Sequence, residues 1–326
     1  MTAINRRMLL GSAGALLAAG TLPARAQSWP DRPIRLVVPF PAGGPNDVIA
    51  RVVGQKMSSI LGQPVVVENR SGGGGVLGTD NVAKSNADGY TIGVTSAGAL
   101  SIASSLMPNI PYDSLKDLAP VTLVATVPEL LVINPKVPTN NLRELVEYAK
   151  KNPGKLNFAS SGSGSVPHLA GEQLRFAADI EIIHVPYRGA APAVTDLIAG
   201  QVQMMFADLP VLMPHVQSGA LKAIALGSAK RAALLPNVQT TAEAGFPAVQ
   251  ADNWYGMVAP GRTPEPVLTK LRDATSAALA DPQVQQTLRE QGATAVGNSP
   301  AEFATYIRSE AVKWGDIVKK SGATLD

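Results

Sequence analysis

Ile34-Arg35-Leu36-Val37-Val38-Pro39-Phe40-Pro41-Ala42-Gly43-Gly44-Pro45-Asn46-Asp47 opens the folded part of the chain, and the rest of the architecture is read outward from it. An apolar run of strand length gives way to a loop rich in Pro and Gly. Val48 to Leu61 then carries apolar residues at helical spacing. The same order returns at once. Val65-Val66-Val67-Glu68 reads as a strand, Gly72 to Gly75 as a loop before another helix, and Thr91-Ile92-Gly93-Val94 as a third strand. Such β-loop-α repetition predicts a parallel sheet with helices on both faces.

The pattern restarts after Pro153. Leu156-Asn157-Phe158-Ala159 reads as a strand, Ser160 to Ser165 as a loop, and a helix begins near Pro167. Further strand runs are Ile182 to Val185, Val202 to Phe206 and Leu221 to Leu226, with helical segments between them. The chain therefore reads as two α/β lobes, each with its own sheet. Val121 to Asn134 and Asn253 to Ala259 are the candidate crossing segments, and 264–320 reads as largely helical, with starts at Pro264, Pro266 and Pro282. The expected division is 27–126 plus 256–326 for one lobe and 127–255 for the other. A length of 326 residues suits two domains. In open parallel sheets ligands sit outside the carboxyl ends of the strands, so two facing lobes predict one shared cleft that closes about a hinge.

The N-terminal 26 residues read differently. Arg6 and Arg7 precede an apolar run from Met8 to Ala19, and Leu22 to Ala26 ends in a small-x-small pattern. This predicts a secretory leader cleaved after Ala26; the run is short of the about 20 residues a membrane span needs. Arg6-Arg7-Met8-Leu9-Leu10 also fits a twin-arginine signal, so either export route is open. The leader holds Arg6, Arg7 and Arg25 and no acid, which accounts for the formal charge of +3. The remaining chain is balanced, and only 5% of residues are aromatic, so neither charge nor stacking surface argues for nucleic acid. There is no cysteine, which excludes thiolate metal sites and cysteine nucleophiles.

Two loops carry the binding expectation. Phe40 to Asp47 lies between a strand and a helix. Its glycines leave backbone N–H groups free to approach a ligand, and the helix N-terminus welcomes an anion. Phe40 can cover an apolar part of that ligand, and Asn46 and Asp47 read as helix caps. Ser160-Ser161-Gly162-Ser163-Gly164-Ser165 is the second such loop, one in each lobe, offering small hydroxyls without a counter-charge. Asp208 follows a strand and precedes Pro210, which places it either toward the cleft or as the cap of a helix. Arg188 ends another strand and reads equally as a surface charge or an anion contact.

Other chemistries find less support. Gly73, Gly75 and Gly78 have dinucleotide-fingerprint spacing, but the next strand ends without the acid that holds a ribose, so a tight turn is the reading. Ser161, His168 and Asp208 can be imagined as a hydrolase triad, yet Gly162 to Val166 fails the G-x-S-x-G elbow. The histidines His168, His184 and His215 form no metal motif, and His184, inside an apolar strand, reads as a core histidine. No cofactor, metal or catalytic residue is expected.

The opening stretch, with Gly62-Gln63-Pro64-Val65-Val66-Val67-Glu68-Asn69-Arg70, Asp88-Gly89-Tyr90-Thr91, His168-Leu169-Ala170-Gly171-Glu172, His184-Val185-Pro186-Tyr187, Pro236 to Gly245 and Trp254-Tyr255-Gly256, resembles the Bug family. These are the TctC-like substrate-binding proteins of tripartite tricarboxylate transporters. The resemblance covers nearly the whole mature chain in order. It implies a two-lobe periplasmic binding protein of type II, monomeric and without enzyme activity. It implies delivery of a di- or tricarboxylate, an acidic amino acid or an aromatic acid to a permease with large and small membrane subunits. It also implies that one carboxylate is gripped by the two Gly/Ser loops with ordered water. Carried over by position, this points to Phe40, Gly43, Gly44, Ser160, Ser161, Ser163 and Asp208, with Ser96 from the loop Ser96-Ala97-Gly98. Ser163, Arg188 and Ala42 stand where the family often has Asn, Lys and Pro, which bears on ligand identity. A grip made of neutral donors favours release to the permease, and a buried arginine lining the cleft would contradict it. A sensing subunit that reports ligand to a signalling partner is the alternative the fold does not separate.

Overall fold

The computed structural model describes residues 29–323 apart from Pro108. The leader expected at 1–26 and its export signal lie outside the described residues. In chain order the elements are β1 (Ile34–Val38), α1 (Pro45–Leu61), β2 (Val65–Asn69), a short turn at Gly73–Gly75, α2 (Val76–Ala83), β3 (Thr91–Ser96) and a wide helical turn at Gly98–Ile102 running into α3 (Ala103–Leu106). Then follow β4 (Leu118–Ile133), α4 (Leu142–Lys151), β5 (Leu156–Ser160), α5 (Val166–Ala178), β6 (Ile182–Pro186), α6 (Ala190–Ala199), β7 (Met204–Asp208), α7 (Leu209–Gln217) and β8 (Lys222–Leu226). The chain ends with β9 (Asp252–Pro260), α8 (Glu265–Ala280), α9 (Pro282–Glu290), β10 (Thr294–Ala295) and α10 (Pro300–Ser321).

The strands hydrogen-bond in the order β2-β1-β3-β9-β4-β7-β5-β6, with β8 and β10 also on β4. The predicted parallel pairing holds inside each half, among β1, β2 and β3 and among β5, β6 and β7. It does not hold between the halves. β4 and β9 run antiparallel to each other and to their neighbours β3 and β7. Each half keeps its own sheet, as expected, but the two sheets are joined through β4. β4 pairs with β9 from Leu118 to Pro128 and with β7 from Glu129 to Ile133, so one long strand joins both sets into a single hydrogen-bonded path. The physical reason lies in β4 itself. It is apolar and buried along nearly its whole length, which suits a strand covered on both faces rather than a loop between domains.

Three apolar clusters hold this frame. Ile34, Leu36 and Val38 of β1 pack with Ile49, Val53 and Met57 of α1 and Leu271 of α8. Leu130 and Val132 of β4 pack with Met205 of β7 and Leu197 of α6. The largest cluster brings Phe158, Leu174 and Phe206 together with Trp254 of β9 and Phe303 and Trp314 of α10. α10 starts with a capping box between Ser299 and Glu302 and buries Phe303, Ile307, Trp314 and Val318 along one face. Two indole N–H groups, Trp254 at 3.0 Å and Trp314 at 2.8 Å, donate to one oxygen of the buried Glu310. Phe303 stands edge-on to Trp254, with ring centroids 5.8 Å apart. The C-terminal helix is thereby clamped to the strand that crosses between the halves.

Truncation of that clamp is expected to be severe. Phe303→Ala removes a wholly buried ring and should lower stability by about 3–5 kcal/mol, read by urea unfolding. A loss under about 1 kcal/mol would mean that α10 repacks and does not anchor β9.

Candidate functional site

A cavity of about 350 Å³ opens at the carboxyl ends of β1, β3, β5, β6 and β7, within the usual size range for small-ligand pockets. Of the residues expected there, Phe40, Gly43, Gly44, Ser96, Ser161 and Asp208 line it; Ser160 and Ser163 do not. Arg188 also lines it, as an exposed side chain, so the condition that would have contradicted a neutral grip, a buried arginine, is not met.

The first loop differs from its sequence reading in two ways. Its glycine N–H groups are not free. Gly43 N–H donates to Asp47 Oδ2 at 2.9 Å, and Gly44 N–H points to the Pro41 carbonyl at 3.4 Å. Asp47 does not cap the helix, whose N-cap is Gly44. Its carboxylate instead takes Arg51 Nε at 2.9 Å and Asn69 Nδ2 at 2.9 Å, and Asn69 also donates to the Phe40 carbonyl. Burial pushes the Asp47 carboxyl up, but these bonds outweigh it and hold the group below the usual range. The loop is thus clipped into shape by Asp47 and Asn69. Gly43 sits at φ +81°, a conformation that a side chain would strain.

Asn46 is the second difference. It occupies the second position of α1, is 2% exposed, and lines the cavity. Neither its Oδ1 nor its Nδ2 has a hydrogen-bond partner in the protein. Buried amides are almost always bonded, so an unpaired one facing a cavity at a helix N-terminus is set to donate to what enters.

The second loop is braced from behind. Ser160 is fully buried and shares a 2.7 Å hydrogen bond with His184 Nε2, while its Oγ also donates to the Gly162 carbonyl. The His184 and His168 rings stack with centroids 3.9 Å apart, and Gly164 N–H donates to His168 Nδ1. Burial, then the neighbouring His168, pushes His184 down to about 3, so it is neutral. Ser160 shapes the loop rather than lining the cavity, because its hydroxyl is spent on this brace. Ser165 caps α5, with its Oγ accepting from His168 N–H and donating to the Gly162 carbonyl. Among the loop's hydroxyls this leaves Ser161 and Ser165 on the cavity wall. The glycine run is the tight turn that was predicted, but Gly74 also reaches the cavity. A Cβ there would lie 3.3 Å from the Ser163 carbonyl, and one on Gly98 would lie 3.4 Å from the Gly164 carbonyl. Backbone from the first half thus lies directly against the Ser160–Ser165 loop.

The floor is acidic and buried. Asp208 stands at the N-cap position of α7 but makes no capping bond. Its Oδ1 accepts from Asn253 Nδ2 at 3.0 Å, and its Oδ2 accepts a very short bond from the Tyr255 hydroxyl. Asn253 Nδ2 also donates to the Tyr255 oxygen at 3.1 Å. Glu129, opposite Asp208 in the β4–β7 register, is wholly buried, and Asp208 beside it can accept its carboxyl proton. Burial, then the adjacent Asp208, raises Glu129 well above its ordinary value. Burial raises Asp208 too, and hydrogen bonds from Tyr255, Asn253 and Glu129 offset only part of that rise. Glu129 therefore keeps its proton while Asp208 ionises first. Burial, then Asp208, also holds the Tyr255 hydroxyl protonated.

Asn46, Asn253 and Tyr255 line the cavity without having been singled out as site residues in the sequence, and Glu129 lies behind Asp208. Asn46 sits inside the opening motif, where its cap preference masked it. Asn253 and Tyr255 belong to a strand whose partner is known only from the sheet order. Among the described residues no group of three or more His, Asp or Glu is placed to hold a metal, and no helix is long and apolar enough to cross a membrane.

Comparison with known proteins agrees with this architecture. Residues 49–323 match the tripartite tricarboxylate transporter family receptor model, and the chain belongs to that family. It is a family of receptors, not of enzymes. Protein BugT of Bordetella pertussis is 41% identical, over 99% of this chain and 100% of that one. Among solved structures, Rpa4515 of R. palustris with adipate superposes with a TM-score of 0.88 at 34% identity, over 91% of this chain and all of that one. MatC of Rhodopseudomonas palustris with bound malate gives 0.84 at 34% identity, over 89% of this chain and all of that one.

The protonated state of Glu129 has a measurable consequence. The folded state keeps this proton above the pH, about 4.5, at which the unfolded chain releases it. The group's contribution is therefore most favourable below that pH and is lost as pH rises through the folded value. Glu129→Gln cannot lose a proton. From pH 5 to 7 the stability difference should move in the variant's favour by up to about 1.4 kcal/mol per pH unit. Urea unfolding of both proteins across that range reads it, and the opposite acid-side loss from His184 cancels in the comparison. A difference independent of pH would mean that Glu129 is ionised in the fold.

Proposed function

We propose that this receptor is periplasmic, captures a small carboxylate between two lobes, and hands it to a permease with a large and a small membrane subunit. Residues 27–126 with 256–326 form one lobe and 127–255 the other in this reading, after removal of the leader at 1–26. Asn46 carries the proposal: a buried amide without a protein partner, in the first turn of a long helix, on the wall of a small cavity. A carboxylate suits that position because the amide N–H and the helix dipole both favour negative charge. Arg188 at the exposed rim adds attraction without a buried ion pair, and Phe40 covers the apolar part of the ligand. The ligands of the two solved relatives, adipate and malate, are both dicarboxylates. They differ in length, adipate having the longer chain, and in the hydroxyl that malate carries. Capture ends in closure, with the turn at Gly74 and the loop at Gly98 meeting the Ser160–Ser165 loop, and the closed form is what the permease reads.

A thermal-shift screen of the mature chain against mono- and dicarboxylates, adipate and malate included, tests this with the matching amides as controls. An acid at 100 times its Kd should stabilise by about 2.7 kcal/mol, and its amide should not. Asn46→Ala should weaken binding of that acid at least about tenfold, or about 1.4 kcal/mol, while the unliganded melt stays close to wild type. Equal shifts from acid and amide, or full binding by the variant, would sink the carboxylate reading.

A further inference from the structure

We infer that Asp208 is a specificity-determining residue: the cavity selects a carboxylate that also carries a hydrogen-bond donor, a hydroxyl or an ammonium, for Asp208 to accept. The inference rests on the carboxylate reading above and adds the second group on the ligand.

The argument comes from what the floor can and cannot offer. Asp208 lines the cavity with 6% of its surface exposed. Each of its oxygens already accepts one bond, from Asn253 and from Tyr255. A carboxylate has about four acceptor positions, so part of its capacity remains. The two neighbours have nothing to spare. Asn253 divides its amide hydrogens between Asp208 and the Tyr255 oxygen, and its own Oδ1 accepts from Trp254 N–H at 2.9 Å. The single Tyr255 hydrogen goes to Asp208. The floor therefore presents an acceptor and no donor.

Nor is the charge of Asp208 cancelled. Among the described residues no lysine or arginine forms an ion pair with it. Arg188, the cation on the wall, is at the exposed rim. Glu129 behind it holds its proton more tightly than Asp208 does, so Asp208 is the member of the pair that carries the charge when one ionises. That charge separates ligands sharply. A bare second carboxylate at the floor meets a like charge in a buried place. A methylene leaves the acceptor desolvated and unpaired. A hydroxyl or ammonium satisfies it. Together with Asn46, the cavity is polar in one direction, with donors for the carboxylate and an acceptor for its substituent.

Matched ligand pairs test this by isothermal titration of the mature protein. Malate and aspartate are compared with succinate, lactate and alanine with propionate, and glutamate with glutarate. Each pair has the same carbon chain and differs by the donor. Sites built around a substrate hydrogen bond discriminate strongly against the analogue that lacks it, so at least one substituted acid should bind tenfold or more tighter than its parent. Asp208→Asn, which removes the charge at constant size, should shrink that ratio by raising the affinity for the unsubstituted parent. Parent acids binding as tightly as their substituted partners to the wild type would overturn the inference while leaving the carboxylate reading intact. A wild-type preference that persists unchanged in folded Asp208→Asn would overturn the role of Asp208. Binding by no acid would overturn both. The wild-type ratios decide the first point even if the variant fails to fold.

Discussion

The hydrogen bonds that Asp208 receives from Asn253 and Tyr255 tie β7 to β9 across β4. Asp208 ends β7, Asn253 and Tyr255 lie on β9, and β4 runs between those strands. The contact therefore spans the strand that belongs to both halves. β4 and β9 run antiparallel from Leu118 to Pro128, with two register shifts, and this pairing sets Tyr255 beside Ser96 of β3 on one side and Asp208 within reach on the other. A buried carboxylate is tolerated there because both its oxygens are bonded and its neighbour Glu129 is neutral. The same contact that closes the frame makes the floor of the cavity.

Around that floor the loops are organised by their own polar groups. Asp47 and Asn69 hold the Phe40–Gly44 turn, and Ser160, His184 and His168 hold the Ser160–Ser165 turn. Most of the donors that a glycine- and serine-rich loop would offer are consumed in this way. The remaining polar groups are few and fixed, and a fixed site loses less freedom when a ligand orders it. Preorganisation here comes from side chains outside the cavity wall, Ser160 among them.

Among the described residues the long strands β4 and β9 connect the two halves, and their loops meet across the cavity through backbone approaches at Gly74 and Gly98. At Gly74 the backbone has φ +63°, a conformation that a side chain would strain, whereas a Cβ at Gly98 would make ordinary contact with the opposing carbonyl. α10 is clamped to β9 through Trp254 and Glu310.

Much of this was legible in the chain alone. The strand runs at Ile34, Val65, Leu156 and Ile182 and the helical spacing of Val48 to Leu61 follow from periodicity, because local backbone preference and one-sided burial leave a mark on neighbouring residues. The two loops at strand ends come from the same local logic, and both border the cavity. The antiparallel joining of the halves, the spending of the Gly43 N–H on Asp47, and the grouping of Glu129, Asp208, Asn253 and Tyr255 were not legible. They depend on which strands become neighbours and on where each side chain finds its partner. Sequence spacing carries the period of an element, whereas the pairing of residues 45 or more positions apart is decided only when the tertiary structure brings them within hydrogen-bond reach.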